Sequence, residues 1–101
     1  MLSEIYYLIR SKADGKYLAA RPNEDDGSTF VLIFRENFDA LSYLNTHARD
    51  LVNRLGIESI SGSQLKTVLQ RWSFNGVGIV TDPLLPKIDF LLQSKLKIDN
   101  G

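Results

Sequence analysis

NFDALSYLNTHARDLVNRL, residues 37–55, is the longest run in the chain with one clear period, and its reading decides the fold. Phe38, Leu41, Leu44, Ala48, Leu51, Val52 and Leu55 recur mostly at steps of three and four residues, which on a helix gathers them into a single apolar stripe. The spacing predicts a helix over the whole run. Asn37 is its expected N-cap, with Asp39 adding negative charge at the positive end of the helix dipole. Gly56 is the expected stop, because glycine enters the left-handed C-terminal conformation without steric cost. The flanking stretches STFVLIFR and IESIS are short, apolar and rich in β-formers, so the unit reads as strand, helix, strand.

Outward from this unit, Phe30-Val31-Leu32-Ile33-Phe34 is apolar at every position and predicts a strand covered on both faces, in the middle of a sheet. Upstream, residues 5–10 and 16–21 form two strand-like runs around Asp14-Gly15, which predicts a hairpin. Downstream, Ser61-Gly62-Ser63-Gln64 has the S-x-x-Q pattern of a capping box. It opens a second helix with Leu65, Val68, Leu69 and Trp72 on one face, stopped by Asn75-Gly76. Val77 to Val80 and Lys87 to Leu92 read as further strands, the two crossovers in series being right-handed if their strands pair in parallel. The expected architecture is α+β (mixed α/β): an N-terminal β-hairpin plus two strand-helix-strand units, forming a mixed five- or six-stranded sheet with two helices. Residues 1–101 make a single domain, with 93–101 as a fraying tail in which Leu96 and Ile98 could add an edge strand.

With 101 residues and 44% hydrophobic content, the chain is long enough to bury one core without staples. Basic and acidic residues balance at 12 each, so no bulk field pulls the protein onto nucleic acid or an anionic membrane. Residues 62–101 hold Lys66, Arg71, Lys87, Lys95 and Lys97 against three acids, an excess too slight for a nucleic-acid footprint. The absence of cysteine excludes disulfides, thiolate metal sites and cysteine nucleophiles. The first apolar run, Ile5 to Ile9, is too short for a signal peptide core or a membrane span, which gives a cytoplasmic expectation.

His47 is the single histidine, so a catalytic triad or a histidine metal site would have to be built on it. A continuous helix would place Asp39, Tyr43, His47, Asp50 and Arg54 on one polar side, either as a site or, the preferred reading, as a solvated face with an Asp50-Arg54 pair. Pro22 to Gly27, PNEDDG, reads as a solvated turn, because its three consecutive carboxylates lack the alternating ligand spacing of a calcium loop. Gly76-Val77-Gly78 follows a helix and opens a strand, the reverse of a dinucleotide fingerprint, and no cofactor is expected. Pro83-Leu84-Leu85-Pro86 could anchor a partner, although a leucine pair in a small domain is more often a core plug. Trp72, Phe74 and Arg71 could form a recognition surface, but Trp72 falls in phase with Leu65 and Leu69, which favours the core.

The stretch from Arg35, RENFDALSYLNTHARDLVNRLGIESISGSQLKTVLQRWSFNGVGIVTDPLLPKIDFL, resembles a group of small uncharacterised cyanobacterial proteins over most of the chain. The order of a strand, a helix opening at an acidic-aromatic turn and a later GVGIVTDP strand and turn is also similar to the N-terminal domain of SseB-type proteins, which carry Asn-Pro where this chain has Asp82-Pro83. Neither resemblance implies a catalytic residue; both imply a cytoplasmic interaction domain.

Fold-making residues are thus plentiful and convergent chemical groups absent. The expectation is a non-enzymatic protein-interaction or regulatory module, a homodimer or a binder of a protein partner. Its contacts are expected at a sheet edge or at the Trp72/Leu84/Leu85 end, with Phe74 beside Trp72. The alternative is a small ligand-binding protein or enzyme using the His47 face.

Overall fold

Phe30 to Phe34 are all buried, and the sheet is built around them. The structure, a computed structural model, describes residues 5–96. Its strands are β1 (Tyr6–Ser11), β2 (Ala19–Ala20), β3 (Phe30–Phe34), β4 (Leu55–Ile60), β5 (Gly76–Asp82) and β6 (Lys87–Leu92), with helices α1 (Asn37–His47) and α2 (Gly62–Arg71). The order across the sheet is β4-β1-β3-β5-β6, with β2 paired to the start of β3. β3 and β5 run parallel, and every other pairing is antiparallel. The expected α+β class, mixed sheet and two helices are all present.

Alternation along the strands divides the core in two. Tyr6, Leu8, Val31, Ile33, Val77 and Ile79 face α2, packing against Leu65 and Leu69. Ile9, Leu32, Phe34 and Val80 face α1, packing against Ala40 and Leu44. The sheet is therefore a middle layer with a helix on each side. Leu65 and Leu69, both fully buried, contribute about 1.5–3 kcal/mol each. The connection through α1 runs from β3 out to β4, and the connection through α2 runs back from β4 to β5. Crossovers of one hand that travel in opposite directions must use opposite faces, as these do.

The strand order, left open by the sequence, places β1 between β3 and β4, so these two do not pair directly. The hairpin at Gly15 forms, with Gly15 at φ +74° and the Ser11 N–H donating to the Lys16 carbonyl at 2.8 Å. Its second arm then leaves β1 after the Arg10–Tyr17 bridge, and β2 pairs with β3 instead.

The long helix is corrected. α1 ends at His47, Ala48 leaves helical geometry at φ −140°, and a short 3-10 turn (Arg49–Leu51) leads into β4. Two structures share what reads as one stripe: Leu55 belongs to β4 opposite Ser11, while Phe38, Leu41 and Leu51 are exposed. The fully buried residues of α1 are Ala40 and Leu44, with Tyr43 and the C-capping Ala48 partly buried beside them. The N-cap position is Glu36 rather than Asn37, with no side-chain cap bond, and Gly56 lies within β4 rather than ending a helix.

α2 follows the sequence closely. The Gln64 N–H donates to Ser61 Oγ at 3.3 Å, and the Ser61 N–H donates to Gln64 Oε1 at 2.9 Å, completing the capping box. The left-handed residue after α2 is Ser73, φ +57°, rather than Asn75 or Gly76. In the predicted tail, Gln93–Lys95 form a 3-10 turn and Leu96 packs on the α2-side core; the remainder, Ile98 included, lies outside the described residues.

Candidate functional site

The residues singled out from the sequence do not meet at one place. Asp50 lies in the 3-10 turn and Arg54 beyond it, so the polar side expected of Asp39, Tyr43, His47, Asp50 and Arg54 is broken where α1 stops. Among the described residues no Asp50-Arg54 ion pair forms; the ion pair present is Arg10–Glu58. Tyr43 and His47 remain neighbours, with ring centroids 4.8 Å apart. Burial raises the Tyr43 pKa above its ordinary value. His47 Nε2 lies 2.9 Å from the Pro83 carbonyl oxygen, which ties the end of α1 to the β5-β6 turn. As arranged, His47 fastens that turn, and Tyr43 packs between His47 and Phe34.

The turn 22–27 is exposed and closes on itself. The Asp25 N–H donates to Asn23 Oδ1 and the Ser28 N–H to Asp26 Oδ1. That amide holds the Asp26 carboxyl below its usual pKa. No group of three or more metal-ligating side chains gathers among the described residues. No helix among them is long and apolar enough to cross a membrane.

Trp72 and the leucine pair lie at opposite ends of β5, so they do not form the single end expected of them. Trp72 is half-buried and meets Tyr17 edge-on, with centroids 5.6 Å apart, while Phe74 is buried in the core. Leu84 and Leu85 are 61% and 75% exposed, so the core-plug reading is corrected: both project from the turn. Asp82 explains why. Its Oδ1 accepts the N–H groups of Leu84 (2.9 Å) and Leu85 (3.2 Å), which holds the turn in shape with the side chains outward.

What the structure brings together is a border, β6 and the turn before it. Among the described residues β6 is the last strand of the sheet, and Phe90, Leu91 and Leu92 are 37%, 38% and 48% exposed. The Gln93 N–H donates to the Asn75 carbonyl at 2.7 Å, continuing the register in which Leu92 faces Gly76. Odd-numbered residues of β6 therefore direct their backbone groups at β5. The Leu91 carbonyl accordingly sits against Gly76, where a Cβ would overlap it. Alternation sends the N–H and C=O of Ile88, Phe90 and Leu92 to the open side. Their side chains meanwhile lie on the α1 side of the sheet. Gly78 leaves the room there, since a Cβ would come within 2.9 Å of both Ile88 Cγ2 and Leu32 Cδ2 and 3.1 Å of Phe90 Cε1. Phe90 meets Phe30 edge-on at 5.3 Å.

The opposite edge, β4, differs. The Lys12 N–H donates to the Arg54 carbonyl at 2.9 Å, so even-numbered β4 residues face β1, and the outward groups belong to Leu55, Ile57 and Ser59. Leu55 and Ile57 are packed against the α1-side core. Arg10 bonds Glu58 at 3.2 Å and the Gly15 carbonyl at 2.8 Å, and lies 4.8 Å from the Tyr17 ring centroid. A groove of about 270 Å³ runs beside this strand, between Ile60, Tyr17 and the Gln64, Thr67 and Val68 side of α2. The bounds of β6 were legible in the sequence, whereas its place at the border of the sheet is set by the strand order.

Comparison with the models of known protein families, with curated proteins and with solved structures finds no match.

Proposed function

We propose that the chain is a non-enzymatic, cytoplasmic protein-interaction module that self-associates through the open edge of β6. The observation that carries this reading is the combination, on one strand, of outward backbone groups at Ile88, Phe90 and Leu92 with exposed apolar side chains on both faces. An open edge of that kind is a template for another strand, and proteins that remain monomeric blunt it with charge, bulges or a covering element. Leu84 and Leu85 extend the apolar border at one end.

The test is light scattering coupled to size exclusion across a concentration series, with Phe90→Lys beside the parent chain. A concentration-dependent dimer is expected, reverting to a folded monomer in Phe90→Lys that melts cooperatively at a lower temperature because the Phe30 contact is lost. A parent chain that stays monomeric at about 100 µM overturns the reading. Capture of a different protein by the same edge, lost in Phe90→Lys, would replace the second copy with a heterologous partner.

A further inference from the structure

Resting on that reading, we infer that two copies pair β6 against β6 antiparallel with Phe90 on the two-fold axis. Edge-to-edge antiparallel pairing under two-fold symmetry runs the axis through the sheet, so opposed residues come from the same face and one residue opposes its own copy. Three registers, centred on Asp89, Phe90 or Leu91, pair the most of this strand with its copy, and the residues decide among them.

With Phe90 at the centre, Ile88 opposes the partner's Leu92 and Phe90 opposes Phe90. Ile88, Phe90 and Leu92 are the residues whose N–H and C=O face the open side, so every outward donor of the strand meets an outward acceptor of the other copy. Their side chains share the α1 face, where the Phe30–Phe90 contact would continue across the axis as a row of aromatic and aliphatic groups. Asp89 opposes Leu91, which separates the two Asp89 carboxylates to a diagonal.

Centring on Asp89 sets these carboxylates directly opposite and places Leu92 against Pro86, which has no N–H. Centring on Leu91 places Ile88 against Ser94, where the strand has already turned into a 3-10 helix (Gln93–Lys95). Each shift loses backbone bonds, and one adds like-charge repulsion. The pattern Ile88-x-Phe90-x-Leu92 is apolar and symmetric about its middle, as a self-complementary edge requires.

The chain has no cysteine, so an introduced thiol cross-links only to another copy. Asp89→Cys, Phe90→Cys and Leu91→Cys would be oxidised with copper phenanthroline in dilute solution and resolved on non-reducing gels. In a hydrogen-bonded antiparallel pair opposed Cα atoms are about 5.5 Å apart, within disulfide reach. Phe90→Cys is expected to form covalent dimer at least about tenfold faster than its two neighbours. Because that change removes the central ring, Ile88→Cys mixed with Leu92→Cys gives the same reading with Phe90 intact: the mixture cross-links and neither variant does alone. If Asp89→Cys or Leu91→Cys is fastest while the parent chain scatters as a dimer, the register is overturned and self-association stands. A parent chain that scatters as a monomer overturns both.

Discussion

At the β4 edge, Arg10 holds Glu58, the Gly15 carbonyl and the face of Tyr17, and Tyr17 leans on Trp72. At the β6 edge, Phe90, Leu91 and Leu92 stand exposed beside Leu84 and Leu85. The two edges present comparable rows of outward backbone groups, so the backbone alone does not distinguish them. Side chains make the difference. At β4 the exposed Arg10–Glu58 pair stands beside half-buried Leu55 and Ile57, whereas β6, which carries Lys87 and Asp89, also exposes Phe90, Leu91 and Leu92, apolar surface that a covering strand would remove from water.

The sharpest way to break this contrast is to dislodge β6 from the sheet. In Gly76→Ala the new Cβ runs into the Leu91 carbonyl, and backbone cannot swing aside as a side chain can. A stability loss of about 3 kcal/mol or more is expected in urea melts, together with loss of the dimer. Next in size is Phe90→Lys, which loses the contact with Phe30 but leaves the monomer folded because Phe90 is a partly exposed border residue, and weakens self-association at least about 100-fold by scattering dilution.

Smaller effects test whether the rest of the molecule stays out of association. Ser61→Ala removes the oxygen that accepts from the Gln64 N–H, at a cost of about 1 kcal/mol in thermal or urea melts with the dimer constant unchanged. Glu58→Gln on the guarded edge breaks the ion pair with Arg10. With those side chains 45% and 38% exposed, it costs about 0.5 kcal/mol and leaves the oligomer unchanged. If Glu58→Gln shifted the dimer constant instead, β4 would be the associating edge.

The parts of the fold legible in the sequence are those set by neighbours in the chain. The all-apolar β3, the Gly15 turn, the Ser61–Gln64 box and the bounds of β6 each depend on a few consecutive residues. The insertion of β1 between β3 and β4 is a pairing across some 50 residues, and nothing local announces it. The overlong helix arose because Leu55, a β4 residue, falls in helical phase with Leu44 and Leu51. At the candidate site, Leu84 and Leu85 carry no signal separating plug from projection; the carboxylate of Asp82 decides it. Gly76 and Gly78, set aside as a failed nucleotide motif, serve close approach by β6 and by the Leu32, Ile88 and Phe90 side chains.

The most direct measurement is residue-resolved amide exchange on the unsubstituted chain at two concentrations, one monomeric and one dimeric by scattering. The amides of Ile88, Phe90 and Leu92 should slow together on dimerisation, while those of Leu55, Ile57 and Ser59 keep their rates. Unchanged exchange along β6 in the dimer, or slowing along β4 instead, would contradict the assignment of the open edge.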